Sequence, residues 1–156
     1  MTNSRESLEK LLGHRFQDAQ LLQQALTHRS AGGLNNERLE FLGDALIGFV
    51  VAEALVGRVP EADEGTLSRM RAALVKRESL AELARGISLG AYLKLGAGEL
   101  RTGGHNRDSI LADTLEAVFG AVYLDAGFEV ARTVALALFR EPLEQVSTAP
   151  AGKDPK

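Results

Sequence analysis

A chain of 156 residues with 45% hydrophobic content is long enough for one domain with a real core. It contains no cysteine, which excludes disulfides and thiolate metal sites and makes a reducing cytoplasm the simplest home. Met1-Thr2-Asn3-Ser4-Arg5-Glu6 is too polar for a signal peptide, and the longest apolar run, residues 45–52, is far short of a membrane span.

Net charge is −3, which taken alone speaks against a nucleic-acid-binding protein. Its distribution speaks the other way. Residues 37–64 hold seven acids and two bases, whereas residues 66–107 hold eight bases and three acids. An acidic cluster beside a basic segment suits a metal site flanked by phosphate contacts, although two solvated helix faces balancing each other would give the same pattern. With six Phe, two Tyr and no Trp, a stacking platform for single-stranded nucleic acid is not expected.

Every periodic stretch is helical and none alternates with period two, so the expected fold class is all-α with no significant sheet. Residues 7–12 make a short helix around Leu8, Leu11 and Leu12. Asp18 is placed to cap a helix bearing Leu21, Leu22, Ala25 and Leu26. Asn35 or Asn36 opens a long helix that ends near Gly57-Arg58-Val59-Pro60. Further helices are predicted over 66–75 and 79–85, the second stopped by Gly86. Residues 96–108 hold four glycines without the Lys-Ser/Thr ending of a P-loop and read as a flexible connection. Helices over 109–126, stopped by Gly127, and over 129–146 follow. Residues 147–156 bury nothing, contain two prolines and read as linker.

Within the long helix, Glu37, Glu40 and Asp44 fall within about 60° of one another. Leu39, Leu42, Leu46, Phe49 and Val50 gather on the opposite side as the expected core face. Beyond Asp44 the acidic stripe continues as Gly48, Val51 and Ala52, where a solvated face would stay polar. The 109–126 helix repeats the device, with Asp113 and Glu116 at i, i+3 on the side away from Leu111, Leu115, Val118 and Val122. Gly120 continues that stripe, so another backbone can approach there. Either helix alone reads more readily as solvated acids. Together they can supply a four-carboxylate cluster of Glu40, Asp44, Asp113 and Glu116, which suits a hard divalent cation because no imidazole or thiolate accompanies it.

The stretch Asn36-Glu37-Arg38-Leu39-Glu40-Phe41-Leu42-Gly43-Asp44-Ala45-Leu46 resembles the signature of the ribonuclease III family. Ala25-Leu26-Thr27-His28-Arg29-Ser30, Asp63-Glu64-Gly65, Ser68-Arg69-Met70-Arg71, Ser109-Ile110-Leu111-Ala112-Asp113, Glu116-Ala117 and Tyr123-Leu124-Asp125 match as well, so the resemblance runs from about residue 8 to residue 146. It implies an endonuclease of the bacterial type that hydrolyses double-stranded RNA, including rRNA precursors, as a homodimer, leaving 5′-phosphate and 3′-hydroxyl ends. The implied cofactor is Mg2+, with Mn2+ able to substitute. Two divalent ions about 4 Å apart would acidify water and neutralise the leaving oxygen, so no side chain need act as general base.

On that resemblance Glu40, Asp44, Asp113 and Glu116 are the metal ligands, Asp44 and Glu116 carry catalysis, and Glu37 and Glu64 assist as secondary acids. Arg69, Arg71, Arg101, Asn106 and Arg107 are candidate contacts to phosphate or hydroxyl groups, although Arg69 and Arg71 could equally hold their own fold through ion pairs. Phe41 lies off the core face, either covered by another helix or offered to a partner, and the family places the matching Phe at its dimer interface. His28 reads as a structural hydrogen-bonder and His105 as a residue of the glycine-rich loop that can touch RNA. Lys153-Asp154-Pro155-Lys156 resembles the junction to a C-terminal double-stranded-RNA-binding domain, so residues 1–146 are the expected catalytic domain and 147–156 a linker toward that absent domain. Two other readings compete. A non-catalytic ribonuclease III-like RNA-binding or structural module would be expected to have lost acids, and all four are present. A helical di-iron protein would carry Glu-x-x-His on two helices, and no histidine here stands three residues after a glutamate.

Overall fold

The structure is a computed structural model that describes residues 4–148, so the Lys153–Lys156 stretch lies outside the described residues. Among the described residues the chain forms helices joined by turns, with one isolated parallel bridge between Thr27 and Lys94. Helix α1 spans Arg5–Leu12, capped by the Ser4 side chain, and α2 spans Ala19–Ala25, where the Asp18 carboxylate accepts from the Gln20 N–H. Helix α3 spans Glu37–Arg58, about 33 Å at 1.5 Å per residue. Helix α4 spans Glu64–Val75, two residues earlier than the apolar pattern suggested, because the Asp63 carboxylate caps the Thr66 N–H at 2.9 Å. Helix α5 spans Arg77–Gly86 and also starts early, directly from Lys76, with Ser79 Oγ donating back to the Ala73 carbonyl.

The glycine-rich segment is not a plain flexible connection. Its glycines bracket a short helix α6, Ala97–Arg101, and a 3-10 turn, Gly104–Asn106. Ion pairs and hydrogen bonds hold it: Arg107 meets Glu99 at 2.9 Å, and Arg85 meets Asp108 at 2.5 Å and the Asn106 side chain at 3.1 Å. Helix α7 spans Asp108–Ala126. The helix expected over 129–146 is broken into α8, Phe128–Leu138, and α9, Arg140–Thr148. Pro142 supplies the reason, since in an unbroken helix its ring would press on the Leu138 carbonyl; in the first turn of α9 it is tolerated. Ser147 and Thr148 belong to α9, so that helix runs two residues into the expected linker.

The core is built around α7, whose Leu111, Leu115, Val118, Phe119 and Val122 are buried, with α2, α3, α5 and α8 packed around it. Phe119 and Phe139 stack with ring centroids 6.4 Å apart, which ties the α8–α9 corner to that core. On α3 the buried face is centred on Gly43, Ile47 and Val50, because α7 docks at Gly43. Phe49, expected inside, is therefore on the rim and 58% exposed, its ring 5.8 Å from Phe128. Leu42 is half-buried for the same reason, whereas Leu39, Leu46 and Val50 are buried as expected. Val51 is buried too, so the acidic stripe does run into the protein. No helix among the described residues is long and apolar enough to cross a membrane.

Candidate metal centre

Helices α3 and α7 meet where neither presents a side chain. A β-carbon at Gly43 would fall on the Glu116 carbonyl, and one at Gly120 would sit 2.5 Å from the Leu39 carbonyl oxygen. Each glycine lets the opposite backbone approach, and no other residue type would fit. Gly43 lies between Glu40 and Asp44, and Gly120 lies one turn beyond Glu116. The contact that packs the helices therefore also draws their acids to one edge.

There, Glu40, Asp113 and Glu116 each place a carboxylate oxygen within 4.8 Å of the others. The carboxyls also face one another across the helices, Glu40 toward Asp113 and Glu116 toward Asp44, near enough for each pair to share a proton. A hydrogen bond between two carboxyl groups needs a proton on one of them. Burial, followed by the charge and hydrogen bond of Asp113, pushes the Glu40 carboxyl up to about 7. Burial, followed by the charge and hydrogen bond of Asp44, pushes Glu116 up to about 8. Crowded, partly buried carboxyls that hold protons near neutrality are groups a divalent cation would discharge, because metal binding replaces protons. The donors are all hard oxygens, with no sulfur or imidazole among them, which fits a magnesium-type ion. Asp44 itself is exposed and lies outside the three-residue group; it reaches the cluster through Glu116.

The other expected site residues are distributed unevenly. Glu37 is exposed one turn before Glu40, helps raise the Glu40 carboxyl, and sits 3.9 Å from the Arg29 guanidinium. Glu64 is the exposed first residue of α4 and is not one of the clustered acids. Arg69, Arg71 and Arg101 are exposed, Arg69 donating to Thr66 Oγ1 at 3.3 Å. Asn106 and Arg107 are instead engaged in holding the α6 loop, Arg107 donating to the Thr102 carbonyl and hydroxyl as well as to Glu99. His105 is exposed in that loop. His28 is a structural hydrogen-bonder as expected: its Nδ1 accepts from the Ser30 N–H at 3.1 Å and lies 2.8 Å from Ser30 Oγ.

Sequence reasoning passed over Arg29, whose charge counteracts the rise of the Glu40 carboxyl. It also read Asn36 only as the opening of the long helix and gave Asp125 no role, although both are anchors. Asn36 donates its side-chain N–H to the Ala25 carbonyl at 3.0 Å, which pins the start of α3 to α2. Asp125 is desolvated, yet hydrogen bonds from the Asp18 and Gln17 N–H groups and from His14 hold its carboxyl below the usual range. All three lie within or beside recognised motifs, but their partners are remote in sequence, so spacing carried no signal. A cleft of about 510 Å³ between α5 and the α8–α9 corner contains none of the clustered acids. Glu40, Asp113 and Glu116 are each half-buried.

Comparison with known proteins agrees with this geometry. Residues 18–143 match the Ribonuclease-III-like family. Over all 156 residues the chain is 56% identical to Ribonuclease 3 of Pseudomonas fluorescens (strain SBW25), and it spans 68% of that protein's length. It is also 56% identical to Ribonuclease 3 of Methylococcus capsulatus (strain ATCC 33009 / NCIMB 11132 / Bath), again over the full chain and 68% of the relative. The structure of the ribonuclease III nuclease domain from Campylobacter jejuni, described for a region involved in dimer formation, superposes with a TM-score of 0.86 at 46% identity, covering 88% of this chain and 97% of that one. Helical fold, glycine-mediated α3–α7 contact and extended identity converge: the chain belongs to the ribonuclease III family.

Proposed function

We propose that this chain is a divalent-metal-dependent endonuclease that hydrolyses phosphodiester bonds of double-stranded RNA, rRNA precursors among them, and leaves 5′-phosphate and 3′-hydroxyl ends. The observation that carries the reading is the meeting of Glu40, Asp113 and Glu116 oxygens within 4.8 Å, at an edge built by two facing glycines. Mg2+ is the assigned ion, with Mn2+ as substitute, and bound there it would supply an acidified water and charge neutralisation for the phosphate. Glu40, Asp113 and Glu116 would hold it as ionised carboxylates. Asp44, whose carboxyl lies beside that of Glu116, would join the ligand set once metal displaces the proton the two share, while Glu37 and Glu64 act as secondary acids. Arg69, Arg71 and Arg101 offer exposed cations to RNA phosphates, and Asn106 and Arg107 shape the loop that carries Arg101. The cysteine-free sequence suits a cytoplasmic enzyme.

The same reading makes the active species a homodimer. Phe41 is 81% exposed, and Ala45, Phe49 and Val56 continue an exposed apolar stripe down α3. A stripe of that kind on a helix otherwise embedded in the core is an interface feature. The Campylobacter jejuni relative, a dimer-forming nuclease domain, supports a second copy as the occupant.

The test uses labelled RNA duplex, DNA duplex and single-stranded RNA, each with magnesium and with chelator. Cleavage confined to RNA duplex and to the magnesium arm is expected. Cleavage that survives chelation, or no preference for the RNA duplex, would overturn the reading.

A further inference from the structure

Backbone geometry fixes one turn beside the acids. Thr27 is buried and bridges Lys94, with the Lys94 N–H donating to the Leu26 carbonyl at 2.8 Å and the His28 N–H to the Lys94 carbonyl at 3.0 Å. Asn36 N–H reaches the Thr27 carbonyl at 3.0 Å from the other side. Gly96 donates its N–H to Ser30 Oγ at 2.8 Å, and its bare Cα lies against the Ser30 carbonyl, where a β-carbon would collide. The turn is thus clamped between the start of α3 and the α6 loop.

Two donors on this turn face the acidic edge. Arg29 lies 3.9 Å from Glu37 with both side chains mostly exposed. A pair so long and so solvated contributes little to stability, so stability does not account for its placement. The Ser30 N–H fixes His28 Nδ1 as an acceptor, which puts the ring proton on Nε2. Nε2 has no hydrogen-bond partner among the described residues, and the ring lies within electrostatic reach of Glu99, Asp113 and Glu37. An edge of carboxylates repels a polyanion, so a nuclease needs donors next to those carboxylates to seat the strand it cuts.

We propose that the Thr27–Ser30 turn is the phosphate-seating rim of this site, with the Arg29 guanidinium and the His28 Nε2–H contacting the RNA backbone beside the bond to be cut. This rests on the nuclease reading above. Both bind the substrate directly: they hold the strand and take no part in bond breaking.

The test measures duplex-RNA affinity in a Glu116→Gln background, where RNA survives, and turnover with Glu116 intact. Arg29→Gln should raise Kd about tenfold or more, as for loss of a charge-assisted contact, and should lower the salt slope by about one unit. It should leave the melting temperature close to that of the parent, while cleavage at subsaturating RNA falls in step with affinity. His28→Asn keeps an acceptor near the Nδ1 position for the Ser30 N–H but removes the distal donor, so folding should persist while Kd rises severalfold. Glu37→Gln should retain the full salt slope. Unchanged Kd and slope in Arg29→Gln would overturn the proposal. So would Glu37→Gln matching Arg29→Gln with the double variant no worse, because that is the signature of an ion pair only. A parent protein that neither binds nor cuts RNA duplex would overturn the nuclease reading itself, a result distinct from either of these.

Discussion

The carbonyl of Glu116 occupies the place where any residue other than glycine at position 43 would put its β-carbon. Packing and chemistry therefore share one contact. Gly43→Ala should force α3 away from α7 and cost about 1–3 kcal/mol or more through overpacking. Lost stability and lost cleavage should appear together, read by thermal melting and by duplex-RNA hydrolysis. A Gly43→Ala protein that melts like the parent and cuts at the parent rate would show that the helices can separate without harm.

Glu116 is the acid most strongly held in its protonated form, through burial and Asp44. Glu116→Gln removes an anionic ligand at nearly constant shape. Hydrolysis of duplex RNA should collapse, by two orders of magnitude or more, while the metal-free protein melts at or above the parent temperature. Near-parental cleavage by this variant would remove Glu116 from the ligand set.

Both raised carboxyls make a statement about pH. Glu40 at about 7 and Glu116 at about 8 lie above the ordinary 4.5, so the folded state holds protons that the unfolded chain releases. Their contribution to stability is full below pH 4.5 and is lost as pH rises through 7 to 8. Without metal, the melting temperature should fall across pH 5 to 8, and Glu116→Gln should flatten the upper part of that fall. Magnesium should bind more tightly over the same range and restore stability most at the alkaline end. Melting curves with and without magnesium at pH 5.5 and pH 8 check both signs. A larger rescue at pH 5.5 would contradict the assignment.

Phe41 is 81% exposed in the single chain. Burying a Phe contributes about 1.5–3 kcal/mol, and two-fold symmetry counts it twice. Phe41→Ala should shift sedimentation equilibrium toward monomer by a factor of 100 or more in the dimer dissociation constant. An unchanged dimer would place the interface elsewhere.

How much of this was legible in the sequence follows from which interactions are local. The 3.6-residue period gave α1, α2, α3 and α7, and a capping aspartate was visible at Asp18, because helix geometry relates residues one turn apart. The acids on each stripe were legible for the same reason, as was Gly120 as a point of close approach. Asp63 was read only as part of a matching motif rather than as a cap, and Pro142 was overlooked as a helix breaker, although both act locally.

The chain order thus determined by itself which residues could become ligands and on which helix face they stood. Only the tertiary structure decided which of them meet. Phe49 is on the rim because the approach of α7 at Gly43 rotates the buried face of α3, and a single-helix pattern carries no record of its neighbour. The glycine-rich segment is ordered because Arg85, Glu99 and Arg107 close on one another through contacts made after the fold is assembled. Arg29 gains its place beside Glu37 and Glu40 through the clamp between Thr27, Lys94 and Gly96, residues about 67 positions apart in sequence. Periodicity constrains neighbours along a helix, whereas distances between helices are set by packing of side chains from distant parts of the chain.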